Sequence, residues 1–134
     1  MIDFNDQDFQ RLEFSKEQLE KYLNSAQHDL AIAAGSDVED VIFRFSCDAL
    51  LKIGIYLIAK AGYKVRSRLG HHHKILEKTA QILRDENISI LGNKMRQDRN
   101  VGLYAGGISV TRKECLEYLA FVKETFEKAT RPRR

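Results

Sequence analysis

The chain has 134 residues, of which 43% are apolar, and a formal net charge of +3; it suits one domain that buries about two-thirds of its unfolded surface without disulfide or metal support. Its longest apolar run, Ile53 to Ala59, lies between Lys52 and Lys60 and falls far short of the roughly 20 residues of a bilayer span, which argues against a membrane segment. The opening Met1-Ile2-Asp3-Phe4-Asn5-Asp6 is acidic and has neither the basic lead nor the apolar stretch of a signal peptide, so a cytoplasmic location is expected.

Residues 1–14, with Asp3, Asp6, Asp8 and Glu13, read as an acidic lead of solvated, frayed chain. Ser15 and Gln18 have capping-box spacing, and Leu19, Tyr22, Leu23, Ala26, Leu30 and Ala33 recur at threes and fours, which predicts a helix over 16–34 ended by Gly35. Ser36 or Asp37 is expected to cap a second helix over 38–61. Its wide apolar set of Val41, Ile42, Phe45, Ala49, Leu50, Ile53, Tyr56 and Leu57 predicts a heavily buried element closed by Gly62. Asp48 and Lys52 on it have the spacing of a helical ion pair. Residues 60–74 carry Lys60, Lys64, Arg66, Arg68 and Lys74 with no acid, a local basic field. Ile75, Leu76, Thr79, Ile82 and Leu83 mark a third helix over 71–86. A short fourth follows over 90–102, with Leu91, Met95 and Arg99 on one side and Gly102 as its terminator. Tyr104 to Gly107 then reads as a turn, and Ile108-Ser109-Val110 is too short an alternation to argue for a sheet. Thr111 and Glu114 repeat the capping box before a helix over 112–129 that carries Cys115, Leu116, Leu119, Val122 and Phe126. The sole proline, Pro132, falls in a basic tail over 130–134. The expected fold is therefore all-α, an up-and-down four- to five-helix bundle over residues 15–129.

Chemistry-bearing residues are few. Cys47 and Cys115 are lone thiols within apolar helical patterns and read as buried and reduced. His71, His72 and His73 point about 100° apart on a helix and cannot all hold one ion; only His73 has a ligand-type residue, Glu77, four positions on. Neither a metal nor a cofactor is expected, and the histidines read as a helix start that can add phosphate contacts. Arg96, Arg99 and Asn100 share one helical face, and two guanidinium forks with an amide can hold a phosphate. The competing reading pairs both arginines with Asp98, Glu86 or a carboxylate of another helix. Tyr104 lies about 140° round the helix from Arg99 and shares its site only if the helix ends near Gly102.

The segment Arg99-Asn100-Val101-Gly102-Leu103-Tyr104, preceded by the Phe45-to-Leu51 helix and Gly70-to-Leu76 and followed by Ile108-to-Thr111 with a closing amphipathic helix, resembles the HEPN family over about residues 16–129. The resemblance implies a small helical bundle that pairs as a homodimer. Its members include metal-independent endoribonucleases of toxin–antitoxin and defence systems, and nucleotide binders that act beside a nucleotidyltransferase. It therefore implies RNA or a nucleotide as ligand and an antitoxin or nucleotidyltransferase as protein partner. That family's nuclease motif sets a polar residue directly after an arginine and a histidine four to six residues after it. Arg99 and Asn100 match, but Tyr104 stands near the histidine position, and no histidine follows Arg99. Tyrosine, with an unperturbed pKa near 10, is a poor general base. The expectation is a nucleic-acid- or nucleotide-binding module without nuclease activity, using Arg96, Arg99, Asn100 and Tyr104, with Asp48, Arg66, Arg68, His71, His72 and His73 as second contacts. An endoribonuclease served by one of the three histidines, a decayed site whose Arg99 and Asn100 cap the helix end, and a protein-interaction or dimerisation domain are the alternatives.

Overall fold

The computed structural model describes residues 2–68, 70–105 and 110–131, without the side chains of 102–105. Helix α1 (Lys16–Ala34) begins at Ser15, whose hydroxyl accepts from the Gln18 amide at 3.1 Å while Gln18 Oε1 accepts from the Ser15 amide at 2.8 Å. This reciprocal capping satisfies two amides that the first turn leaves unpaired. Helix α2 (Glu39–Lys60) starts after Val38, not from a side-chain cap at Ser36 or Asp37; Ser36 Oγ instead accepts from the Val38 amide at 3.0 Å. Its buried set, including Ile42, Phe43, Leu50, Ile53 and Leu57, extends round much of the helix, and α2 forms the centre against which the other elements pack.

The acidic lead is not frayed chain. Strand β1 (Phe9–Arg11) pairs antiparallel with β2 (Tyr63–Val65), Phe9 opposite Val65 and Arg11 opposite Tyr63. Phe9 is buried, Phe4 stacks on Tyr63 with ring centroids 4.3 Å apart, and the buried Lys78 ammonium lies 5.7 Å from the Phe4 and Phe9 rings. Apolar residues scattered between acids, rather than a period, hold this segment down, and three-residue strands are too short to show one.

Helix α3 (His71–Leu83) stops three residues before the expected end, because Arg84 takes the left-handed conformation (φ 54°) and the amides of Arg84 and Asp85 fold back onto Gln81 and Ala80 carbonyls. Asp85 Oδ1 then accepts from the Asn87 amide at 3.0 Å. This caps helix α4 (Glu86–Ala105), which is longer at both ends than the expected 90–102. Neither Gly92 nor Gly102 ends α4; a Cβ at Gly92 would press on Leu76, and one at Gly54 would collide with Thr79 and Ile75, so both glycines let helices approach closely. Helix α5 (Arg112–Thr130) starts with the Thr111–Glu114 capping box and packs on α2 and α1. The result is an all-α bundle with one small ribbon. No helix among the described residues is long and apolar enough to cross a membrane.

A cationic groove between α2, α3 and α4

Along α2, Asp48, Leu51, Lys52, Ile55 and Ala59 recur at helical spacing and line one groove. From Asp48 to Ala59 the helix rises about 17 Å, and the groove encloses about 690 Å³, the size of an ordinary small-molecule site. One end is formed by α3 and α4, which contribute His71, His72, Arg96, Arg99 and Asn100. The other is lined by Phe14, Tyr22, Tyr63 and Val65.

At the α4 end, Arg99 Nη1 donates to Asp48 Oδ1 at 2.6 Å. The expected Asp48–Lys52 pair is therefore not made. Lys52 Nζ instead lies 2.8 Å from Asp29 Oδ2, in an ion pair that departs from good hydrogen-bond geometry. The Asp29 carboxylate is almost wholly buried, and an opposite charge offsets its lost hydration more than a solvated Asp48 requires. Arg96 lines the same groove and forms no ion pair among the described residues, and its buried Nε–H has no acceptor. A buried donor left unmade costs about 1–3 kcal/mol, so this atom marks where an acceptor belongs.

His71 and His72 flank this end with their rings 4.3 Å apart. Because a carbonyl can only accept, the 2.9 Å contact of His71 Nδ1 with Arg68 O places a proton on Nδ1 and leaves Nε2 as the free nitrogen of the neutral ring. Lost hydration holds His72 below its ordinary pKa, and nearby His71, Arg99 and Arg96 add to the effect, which Asp48 partly opposes. His72 is accordingly a neutral imidazole at pH 7 with cations beside it. Burial pushes the Cys47 thiol up to about 12, so despite lining the groove it is no thiolate nucleophile. Ser46 turns inward, donating to Ile42 O at 2.6 Å.

Of the residues expected at the site, Arg96, Arg99, Asn100, Asp48, His71 and His72 come together in the groove. The first pairing alternative is half right: Arg99 does meet a carboxylate of another helix, whereas Arg96 does not. His73 departs, its Nδ1 lying 3.1 Å from Asn93 Oδ1. Arg66 and Arg68 lie outside the groove, where Arg66 Nε donates to Asp6 O at 2.9 Å and Arg68 Nη1 to Gln7 O at 2.7 Å, tying down the N-terminal segment. The α4 backbone stays helical through Ala105, past the expected end near Gly102, and the Tyr104 side chain lies outside the described residues, as do Gly106 to Ser109 and the tail from Pro132. The aromatic end was not foreseen: Phe14 and Tyr22 pack edge to face at 5.7 Å, and only the fold brings Tyr63 to the same groove. No three His, Cys, Asp or Glu side chains gather as metal ligands among the described residues. No family model, curated protein or solved structure matches the chain.

Proposed function

We propose that this chain is a HEPN-like helical module that binds the phosphate of RNA or of a nucleotide at the α4 end of the groove. The observation that carries this reading is Arg96: a guanidinium on a concave surface, without a carboxylate and with a buried Nε–H lacking an acceptor among the described residues. Phosphate oxygens are the natural partner of such a fork, and the Asn100 side-chain amide stands in the same wall to add a neutral donor. Asp48 fixes Arg99 beside it, which orients one cation and leaves the other for ligand. On this reading the module works in the cytoplasm, as a homodimer beside an antitoxin or nucleotidyltransferase partner of a toxin–antitoxin or defence system, and binds without cleaving.

A second reading has a specific observation in its favour. His72 shares the groove with Arg96 and Arg99 and is neutral at pH 7, the state in which an imidazole can take a proton from a ribose 2′-hydroxyl. This supplies from α3 the base missing after Arg99, as a metal-independent endoribonuclease requires. The interaction-domain reading gains less, because the exposed Ile90 and Val101 on α4 stand about 17 Å apart along the helix, with the charged Lys94 between them.

The test is binding and cleavage of a labelled mixed-sequence RNA in EDTA at two salt concentrations, with wild type, Arg96→Ala and His72→Ala. Salt-sensitive binding, without cleavage and weakened at least about tenfold by Arg96→Ala, is the expected result. Cleavage lost in His72→Ala would replace it with the nuclease reading, and binding indifferent to salt and to Arg96 would overturn both.

A further inference from the structure

The groove extends beyond the phosphate end. Beyond Asp48 its floor is Leu51, Ile55 and Ala59, and a simple anion at Arg96 would leave this apolar surface in water. A ligand that fills the groove therefore carries an apolar body attached to its anion. Two bodies fit that description, a hydrocarbon chain and a flat heteroaromatic ring, and the walls discriminate between them. Phe14, Tyr22 and Tyr63 bring three aromatic side chains to this end. One face of Tyr63 is already stacked on Phe4, which holds the ring in place. Two polar side chains, Lys64 and Ser67, line the groove with them. An acyl chain offers these groups nothing, whereas the edge of a nucleobase presents acceptors to ammonium and hydroxyl donors while its faces meet the aromatic rings.

We infer that the aromatic end of the groove is a base slot, so that the groove takes a single nucleotide with its phosphate at Arg96 and its base against Tyr22. This rests on the reading of the Arg96 end as a phosphate site and adds to it the part of the ligand that the phosphate does not specify. Asp48 and Ile55 are separated by about 10 Å of helical rise, so phosphate and base are held at two different levels of α2. Every nucleobase has a π-face, so the slot selects for a base being present before it selects which base.

The experiment is calorimetric titration of the full chain at low salt with adenosine 5′-monophosphate, ribose 5-phosphate, inorganic phosphate and dodecyl phosphate. The nucleotide is expected to bind about tenfold tighter than ribose 5-phosphate, the gain a base–aromatic contact gives. Tyr22→Leu keeps apolar bulk in the helix and removes the aromatic face; it should bring the nucleotide down to the ribose 5-phosphate level and leave inorganic phosphate unchanged. Arg96→Ala should weaken all of the phosphates together. Equal binding of nucleotide and ribose 5-phosphate, still dependent on Arg96, would overturn the base slot and leave the phosphate site standing. Dodecyl phosphate binding tighter than the nucleotide, insensitive to Tyr22→Leu, would overturn it in favour of an acyl chain. No binding of any of the four would remove the phosphate site and the slot with it.

Discussion

Helix α4 has two charged faces that solve the same problem differently. Toward α5, Lys94 Nζ donates to the Tyr118 hydroxyl at 2.7 Å, that hydroxyl donates to Asp98 Oδ2 at 3.0 Å, and Glu114 lies 3.6 Å from Lys94. Every charge there has an opposite, and the hydrogen bond that Lys94 donates to Tyr118 helps hold its ammonium above the ordinary pKa. Two residues along the helix and facing the groove, Arg96 has none among the described residues. The first face contributes to stability by joining helices; the second keeps a cation with a buried donor that costs stability unless an acceptor meets it. The difference teaches that charge alone did not mark the site, since Lys94 is as cationic as Arg96. What sets Arg96 apart is that no carboxylate among the described residues meets it on a concave surface.

The contrast is sharpest in stability. Tyr118→Phe removes the hydroxyl at the centre of the paired face and is expected to cost about 1 kcal/mol, read as a lower midpoint in urea denaturation with unchanged slope. Arg96→Met, which keeps the apolar stem and removes the buried donor that has no acceptor, should raise stability by about 1 kcal/mol while abolishing phosphate binding. A larger loss in Arg96→Met than in Tyr118→Phe would break the comparison, because it would show Arg96 to be a structural contact.

A smaller effect separates the faces by pH. Because the folded pKa of His72 lies below its unfolded value, the protein loses stability from this group as pH falls through the ordinary histidine range toward the folded pKa. A bound phosphodiester supplies the missing negative charge, raises the His72 pKa and makes binding take up a proton. RNA affinity should therefore rise between pH 7.5 and 5.5, a range over which the diester keeps its charge. An exposed pair gains up to about 1 kcal/mol, or roughly fivefold, and His72→Gln should flatten the profile. An unchanged profile in His72→Gln would take the imidazole out of the site.

Much of this architecture could be read from local signals. Ser15 with Gln18 and Thr111 with Glu114 mark two helix starts to the residue, because capping acts over three positions. Spacing likewise placed Arg96, Arg99 and Asn100 together. Non-local effects were opaque. The Arg84–Asp85 junction contains neither glycine nor proline, so α3 and α4 were divided in the wrong place. Asp48 chose Arg99, 51 positions away, over the nearby Lys52 because α1 brings the buried Asp29 to Lys52. The descent of the N-terminal segment onto β2 and α3, and the arrival of Phe14 and Tyr63 at one groove, depend on contacts that no periodicity records.

The most direct test of the central claim is to follow the arginine Nε–H resonances by proton–nitrogen NMR while adding inorganic phosphate at low salt. The account predicts a saturable shift of the Arg96 resonance, assigned by its loss in Arg96→Met, with Arg112, which already pairs with Glu39 at 3.2 Å on another face, unmoved. An Arg96 resonance that does not move, or that moves no more than Arg112, would contradict the account and return the unmatched guanidinium to the protein's own packing.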